Sequence, residues 1–140
     1  MKLKGYFRRD GHCYFDALLV SDKLRKPEFL RLLLDTGTTT TTILDGDCER
    51  MGLDCTKLPR NKRDTMAVGA MVTSYLLRDG VFVFLDEHDG LQPEILGRID
   101  VINPDEDGPK PDFSLMGMDL VSRFDKLVID RRNRTVYLER

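Results

Sequence analysis

Leu32-Leu33-Leu34-Asp35-Thr36-Gly37 is the stretch that decides how this chain is read. An apolar run of this kind belongs in a buried strand. A buried strand avoids ending on an unpaired carboxylate, because taking the charge out of water is costly. Here the run delivers Asp35 straight into a tight turn with a hydroxyl and a glycine beside it. That arrangement places an acid at the floor of a cleft, and the chemistry is expected there. Taken alone, the same residues also fit a plain turn in which the carboxylate caps the Thr-Gly amides.

Outward from the turn, short strands alternate with turn signals. A strand is expected over 12–20 after Asp10-Gly11, and Pro27 separates it from a second over 28–34. Threonines 38–42 lead into Ile43-Leu44. Residues 45–51 are expected to form a short helix, capped by Asp45 or Asp47 and stopped by Gly52, with Cys48 and Met51 facing inward. An extended segment over 65–77 is interrupted at Val68-Gly69-Ala70, and strands over 81–85 and 94–102 flank the turn-rich Glu87-His88-Asp89-Gly90. Residues 103–112 carry three prolines and four acids and read as a solvated loop. A strand over 113–116 runs into Gly117, a short helix follows over 118–124, and strands over 126–129 and 135–138 make a terminal hairpin around Arg132-Asn133.

The 140 residues are enough for one domain with a core that needs no staples. Charged residues make up 33% of the chain, yet the net charge is only -2, which argues against nucleic acid or an anionic membrane as partner. Cys13, Cys48 and Cys55 are odd in number and not spaced as ligands with His12 or His88, which read as surface residues. Reduced thiols are expected, with no metal site and no disulfide framework, Cys48 facing the core and Cys55 in a loop. No apolar run approaches the roughly 20 residues that span a bilayer, and the start of the chain lacks a signal-peptide core. A cytoplasmic protein is expected, either whole or cut from a longer chain.

Three separated signals fall in one order. The first is the apolar run into Asp35-Thr36-Gly37-Thr38, followed by a short helix ending at Gly52-Leu53. The second is a glycine-centred extended segment, Met66-Ala67-Val68-Gly69-Ala70-Met71. The third is Ser114-Leu115-Met116-Gly117-Met118-Asp119-Leu120, in which a glycine opens a helix. A bare Asp-Thr-Gly arises by chance in roughly a few chains per hundred of this size, so the order carries the weight. With that order, the chain resembles the retropepsin-like aspartic peptidases, the single-lobe relatives of pepsin that include the retroviral proteases. The resemblance runs over about residues 12–138, and is nearer to the cellular and prokaryotic members than to the viral ones. It implies an all-β fold, a closed antiparallel β-barrel of the pepsin/retropepsin type with one or two short helices, as a single domain over 1–140.

The resemblance also implies a homodimeric aspartic endopeptidase acting on peptide or protein substrates, with no cofactor. Peptide hydrolysis needs a base for the attacking water and an acid for the carbonyl oxygen and the leaving amine. Two carboxylates about 3 Å apart share one proton and supply both roles, the aspartic proteases being the standard example. One Asp-Thr-Gly per chain therefore calls for Asp35 from each of two copies on a two-fold axis, titrating as a pair. Thr36, Gly37 and Thr38 support the loop: Thr36 across the interface, Gly37 by keeping bulk from the substrate, and Thr38 by donating its hydroxyl to an outer carboxylate oxygen. That donation favours the ionised form, so a more acidic pH optimum than in the viral enzymes is expected.

Val68, Gly69, Ala70 and Met71 fall on the flap that closes over substrate, and Met116, Gly117 and Asp119 on the structural glycine-helix element. Asp119 reads as a first-turn residue facing the positive end of the helix dipole. Apolar subsites are expected near Ile43, Val68 and Met116. Thr39 and Met118 stand where viral enzymes commonly carry Asp and Arg, which removes an ion pair near the interface. The terminal hairpin over 127–138 is the candidate to replace it. Two other readings stay open: a noncatalytic peptide-binding or dimerisation module on the same fold, and a peptidase that cleaves only itself or one fused partner.

Overall fold

The computed structural model describes residues 1–62, 65–67, 70–103 and 109–140, with residues 65–67 and 70 described by their backbone alone. Strands β1 (Lys2–Lys4), β2 (Tyr6–Phe7), β3 (Cys13–Val20), β4 (Glu28–Leu34) and β5 (Thr42–Ile43) precede helix α1 (Asp45–Met51) and a 3-10 turn, Cys55–Lys57. Then come β6 (Thr65–Ala67), β7 (Ala70–Val72), β8 (Ser74–Leu77), β9 (Gly80–Leu85), β10 (Leu91–Leu96), β11 (Ile99–Ile102) and β12 (Ser114–Met116). The chain closes with helix α2 (Met118–Val121), β13 (Lys126–Asp130) and β14 (Thr135–Glu139).

A nine-stranded sheet in the order β10-β9-β3-β4-β12-β5-β11-β8, with β2 added beside β3, forms the body of the molecule. It curls into a half-barrel. The architecture is mostly β, as expected, but the closed antiparallel barrel is not seen among the described residues. The end strands β10 and β8 do not pair with each other, and the β4–β12 and β5–β11 pairs are parallel. Parallel pairing arises because β12 returns alongside β4 after a long excursion of the chain, which no hairpin can provide. A second sheet, β1-β14-β13, joins the two ends of the chain, and β6 and β7 form a separate hairpin.

Along β3 the burial alternates strictly at its far end: Phe15, Ala17 and Leu19 face the core while Asp16, Leu18 and Val20 are exposed. Paired with Leu30 and Leu32 of β4 and Phe82 of β9, these inward residues join buried Phe84 in the core. Ile43, Cys48, Ile99, Val101, Met116 and Leu120 fill it from the opposite side.

Helix α1 occupies the expected residues. It ends where Gly52 turns left-handed at φ 66°, letting its N–H reach back to the helix carbonyls. Neither Asp45 nor Asp47 caps its start: Leu44 is the N-cap, without a side-chain bond. The Asp47 carboxylate is committed elsewhere, being buried on the Ser114 hydroxyl at 2.7 Å and paired to Arg50 at 3.1 Å. The expected strand over 94–102 is broken at Gly97-Arg98 into β10 and β11, and α2 stops at Val121, three residues early. Strands β1 and β2 carry too few residues to show a period and had no counterpart in the sequence reading.

Candidate active site

Strand β4 carries Asp35 to the end of the sheet, where its N–H donates to the Met116 carbonyl at 3.1 Å and so extends the β4–β12 pairing by one residue. The turn closes through Thr38 N–H to the Asp35 carbonyl at 3.2 Å. Each carboxylate oxygen then receives one donor from its own turn. Gly37 N–H reaches Oδ1 at 3.0 Å, and the Thr38 hydroxyl reaches Oδ2 at 2.7 Å. Asp35 and Thr38 are half-buried, whereas Thr36 and Gly37 are exposed. Two charge-assisted bonds orient the acid and leave lone pairs for a further donor.

The segment leaving this turn, ahead of β5, is locked onto the opening of α2. Met118 N–H donates to the Thr38 carbonyl at 2.8 Å and Asp119 N–H to the Thr39 carbonyl at 3.0 Å. The Asp119 carboxylate accepts from Thr41 N–H at 2.9 Å, from the Thr41 hydroxyl at 2.7 Å and from Leu120 N–H at 2.8 Å. The Thr41 hydroxyl in turn accepts Gly117 N–H at 3.0 Å. A Cβ on Gly117 would lie 2.7 Å from the backbone of Thr40 and Thr41, so only glycine permits this approach. Asp119 thus grips a buried threonine across the fold, a more specific task than facing a helix end. Thr41 itself went unread in the sequence. Nothing distinguishes it within a run of five threonines, and its partner lies 78 residues away.

Ile43 and Met116, near which apolar subsites are expected, are themselves fully buried in the core. The parallel β4–β12 pair and the β5–β11 pair enclose them. Strands β6 and β7 form an antiparallel hairpin in the expected flap segment, with Ala67 paired to Ala70. Val68 and Gly69 lie outside the described residues. The Met71 side chain is 60% exposed.

Cys55, expected in a loop, falls in the 3-10 turn instead. It is buried there, with its sulfur 3.5 Å from that of Cys48. The neighbouring Cys55 sulfur and burial together push the Cys48 thiol far above its ordinary range. Among the described residues no group of three or more His, Cys, Asp or Glu side chains is arranged to hold a metal ion, and no helix is long and apolar enough to cross a membrane.

No protein-family model and no curated protein matches this chain. Solved structures do. A retropepsin-like aspartic protease from Rickettsia conorii aligns over 99% of this chain and 98% of its own, at 22% identity and a TM-score of 0.63. A retroviral protease-like domain of Ddi1 from Leishmania major aligns over 88% of this chain and 92% of its own, at 15% identity and a TM-score of 0.45.

Proposed function

From a chain with the retropepsin-like fold and a single Asp-Thr-Gly turn, we propose a homodimeric aspartic endopeptidase, with Asp35 and Asp35 of the partner subunit as its catalytic pair. The observation that carries this reading is the held state of Asp35. Its two oxygens are oriented by Gly37 N–H and the Thr38 hydroxyl, on a turn fixed against Gly117 and Asp119 and open to solvent at Thr36 and Gly37. A plain capped turn would also make the bond from Gly37; what favours the catalytic reading is the lock of the following residues onto Met118 and Asp119 while Thr36 and Gly37 stay open to solvent.

In the proposed dimer, the two carboxylates hold a water and one proton between them. The ionised acid takes a proton from the water as its oxygen attacks the peptide carbonyl. The protonated acid gives its hydrogen to the carbonyl oxygen, and proton return to the amine then breaks the C–N bond. In that dimer Thr36, exposed in the single chain, bonds across the two-fold axis, and the terminal hairpin β13–β14 is the further interface. The substrate lies extended and adds backbone hydrogen bonds in the manner of a strand, covered by the β6–β7 hairpin acting as a flap.

The test combines light scattering for mass with cleavage of a peptide library from acidic to neutral pH. The wild-type chain is expected to run as a dimer and to cleave without added metal. Asp35→Asn is expected to remain dimeric and lose activity by at least about a thousandfold. A dimer that binds peptides tightly in both forms and cleaves none would leave the noncatalytic module as the correct reading.

A further inference from the structure

Two hairpin tips converge on a small cavity lined by none of the residues assigned to catalysis or to the flap, although one tip belongs to the hairpin proposed as further dimer interface. The β2–β3 tip contributes Phe7, Arg8, Arg9 and Gly11, the β13–β14 tip contributes Arg131 and Arg134, and together they line about 300 Å³. Four arginines and no carboxylate form this wall, in a chain whose net charge is -2.

The nearby acids are already engaged. Asp112 holds Arg8 through two bonds, at 2.9 and 3.1 Å. Asp10 accepts from the Tyr14 hydroxyl and His12 N–H, and Asp130 spans its own turn to Asn133. Among the described residues, no ion pair engages Arg9, Arg131 or Arg134. Two of these three like charges are nevertheless held in place. Arg131 donates to the Gly11 carbonyl at 3.1 Å, and the Arg131 and Arg134 guanidiniums lie 5.7 and 5.8 Å from the centre of the Phe7 ring. Arg134 also sits at φ 52°, a left-handed turn position where glycine or asparagine would be at ease. An arginine at that backbone position, beside two others without an ion pair among the described residues, concentrates positive charge at this cavity.

We propose that this cavity binds a phosphoryl group, carried by a small phosphate monoester or by a phosphorylated side chain. The class follows from the count of charges. A carboxylate brings one charge and two oxygens, too little for three unpaired guanidiniums. A phosphate monoester brings about -1.5 to -2 and three strong acceptor oxygens, which planar guanidinium forks engage in pairs. The site stands whether or not Asp35 cleaves peptides.

Thermal unfolding and calorimetry of the full chain with inorganic phosphate test it, against sodium acetate at equal ionic strength. Phosphate is expected to raise the Tm saturably with one-to-one stoichiometry, and acetate to leave it unchanged. Arg134→Gly should raise the Tm of the free protein, by relieving the left-handed arginine, while weakening phosphate binding roughly tenfold or more. Arg9→Gln should weaken binding without moving the free Tm. Glycerol phosphate and a phosphoserine peptide with uncharged flanks should each displace phosphate, and the one that does so at lower concentration identifies the carrier. An equal shift with acetate, undiminished phosphate binding in the Arg9→Gln/Arg134→Gly double variant, or failure of both carriers to compete would overturn the assignment.

Discussion

At the scale of single residues, the Thr38 hydroxyl donates to Asp35 Oδ2 at 2.7 Å, a bond that is stronger to the ionised acid than to the neutral one. Thr38→Ala removes this orienting bond and is expected to lower kcat/KM of the proposed enzyme roughly tenfold with the mass of the dimer unchanged. An unchanged kcat/KM would contradict the role given to this hydroxyl. Asp119 offers a second measurement. Its carboxylate satisfies the buried Thr41 amide and hydroxyl together, and Asp119→Ala orphans both donors. A loss of about 2 kcal/mol is expected, read as a fall in the urea midpoint with an unchanged slope. Asp35 was legible in the sequence because its signal is local, an acid at the end of an apolar run. Thr41 was not, because its only distinction is a partner on another element.

At the scale of elements, the β2–β3 hairpin is tied to the segment before β12 through Asp112, which takes Arg8 at 2.9 Å and Arg31 at 3.1 Å. The Arg8 guanidinium beside it holds the Asp112 carboxyl below the ordinary carboxylate range. A carboxyl depressed in the folded state contributes stability that is complete above its unfolded value, about pH 4, and fades as the pH falls through the lower folded one. Asp112→Asn should therefore be less stable than wild type at pH 6, with the gap closing steadily below pH 4. A gap independent of pH would mean that the side chain matters for packing rather than charge. The pair is largely solvated, so the gap is expected to be small.

The elements themselves were unevenly legible. Helix α1 announced its stop through Gly52, whereas the acids read as its cap do not cap it. Strands β3 and β4 announced their length, between Gly11 and Pro27 and between Pro27 and the Asp35 turn. Strand β3 did not announce its faces by polarity, since Leu18 and Val20 are apolar yet 42% and 39% exposed. Pairing of Leu18 with Phe29 and Val83 put all three on the outer side of the sheet.

At the scale of the whole molecule, the proposed activity depends on a second copy. The terminal hairpin is the surface assigned to it, and Ile129 there is 44% exposed. Ile129→Glu is expected to leave the fold of the single chain intact, since an exposed strand position tolerates charge, while shifting the dimer toward monomer and making activity depend steeply on protein concentration. An unchanged mass by light scattering would place the two-fold contact elsewhere.

By itself the sequence determined the class of the fold, the order of most strands and the position of the acid-bearing turn. Each of these is written in near neighbours: apolar runs, glycine and proline stops, a hydroxyl next to a carboxylate. Tertiary structure alone decided that β4 and β12 run parallel, that Ile43 and Met116 are buried in the core, and that four arginines from the two ends of the chain share one cavity. Those outcomes depend on sheet register across many tens of residues, where the free energy of packing acts and local preference is silent.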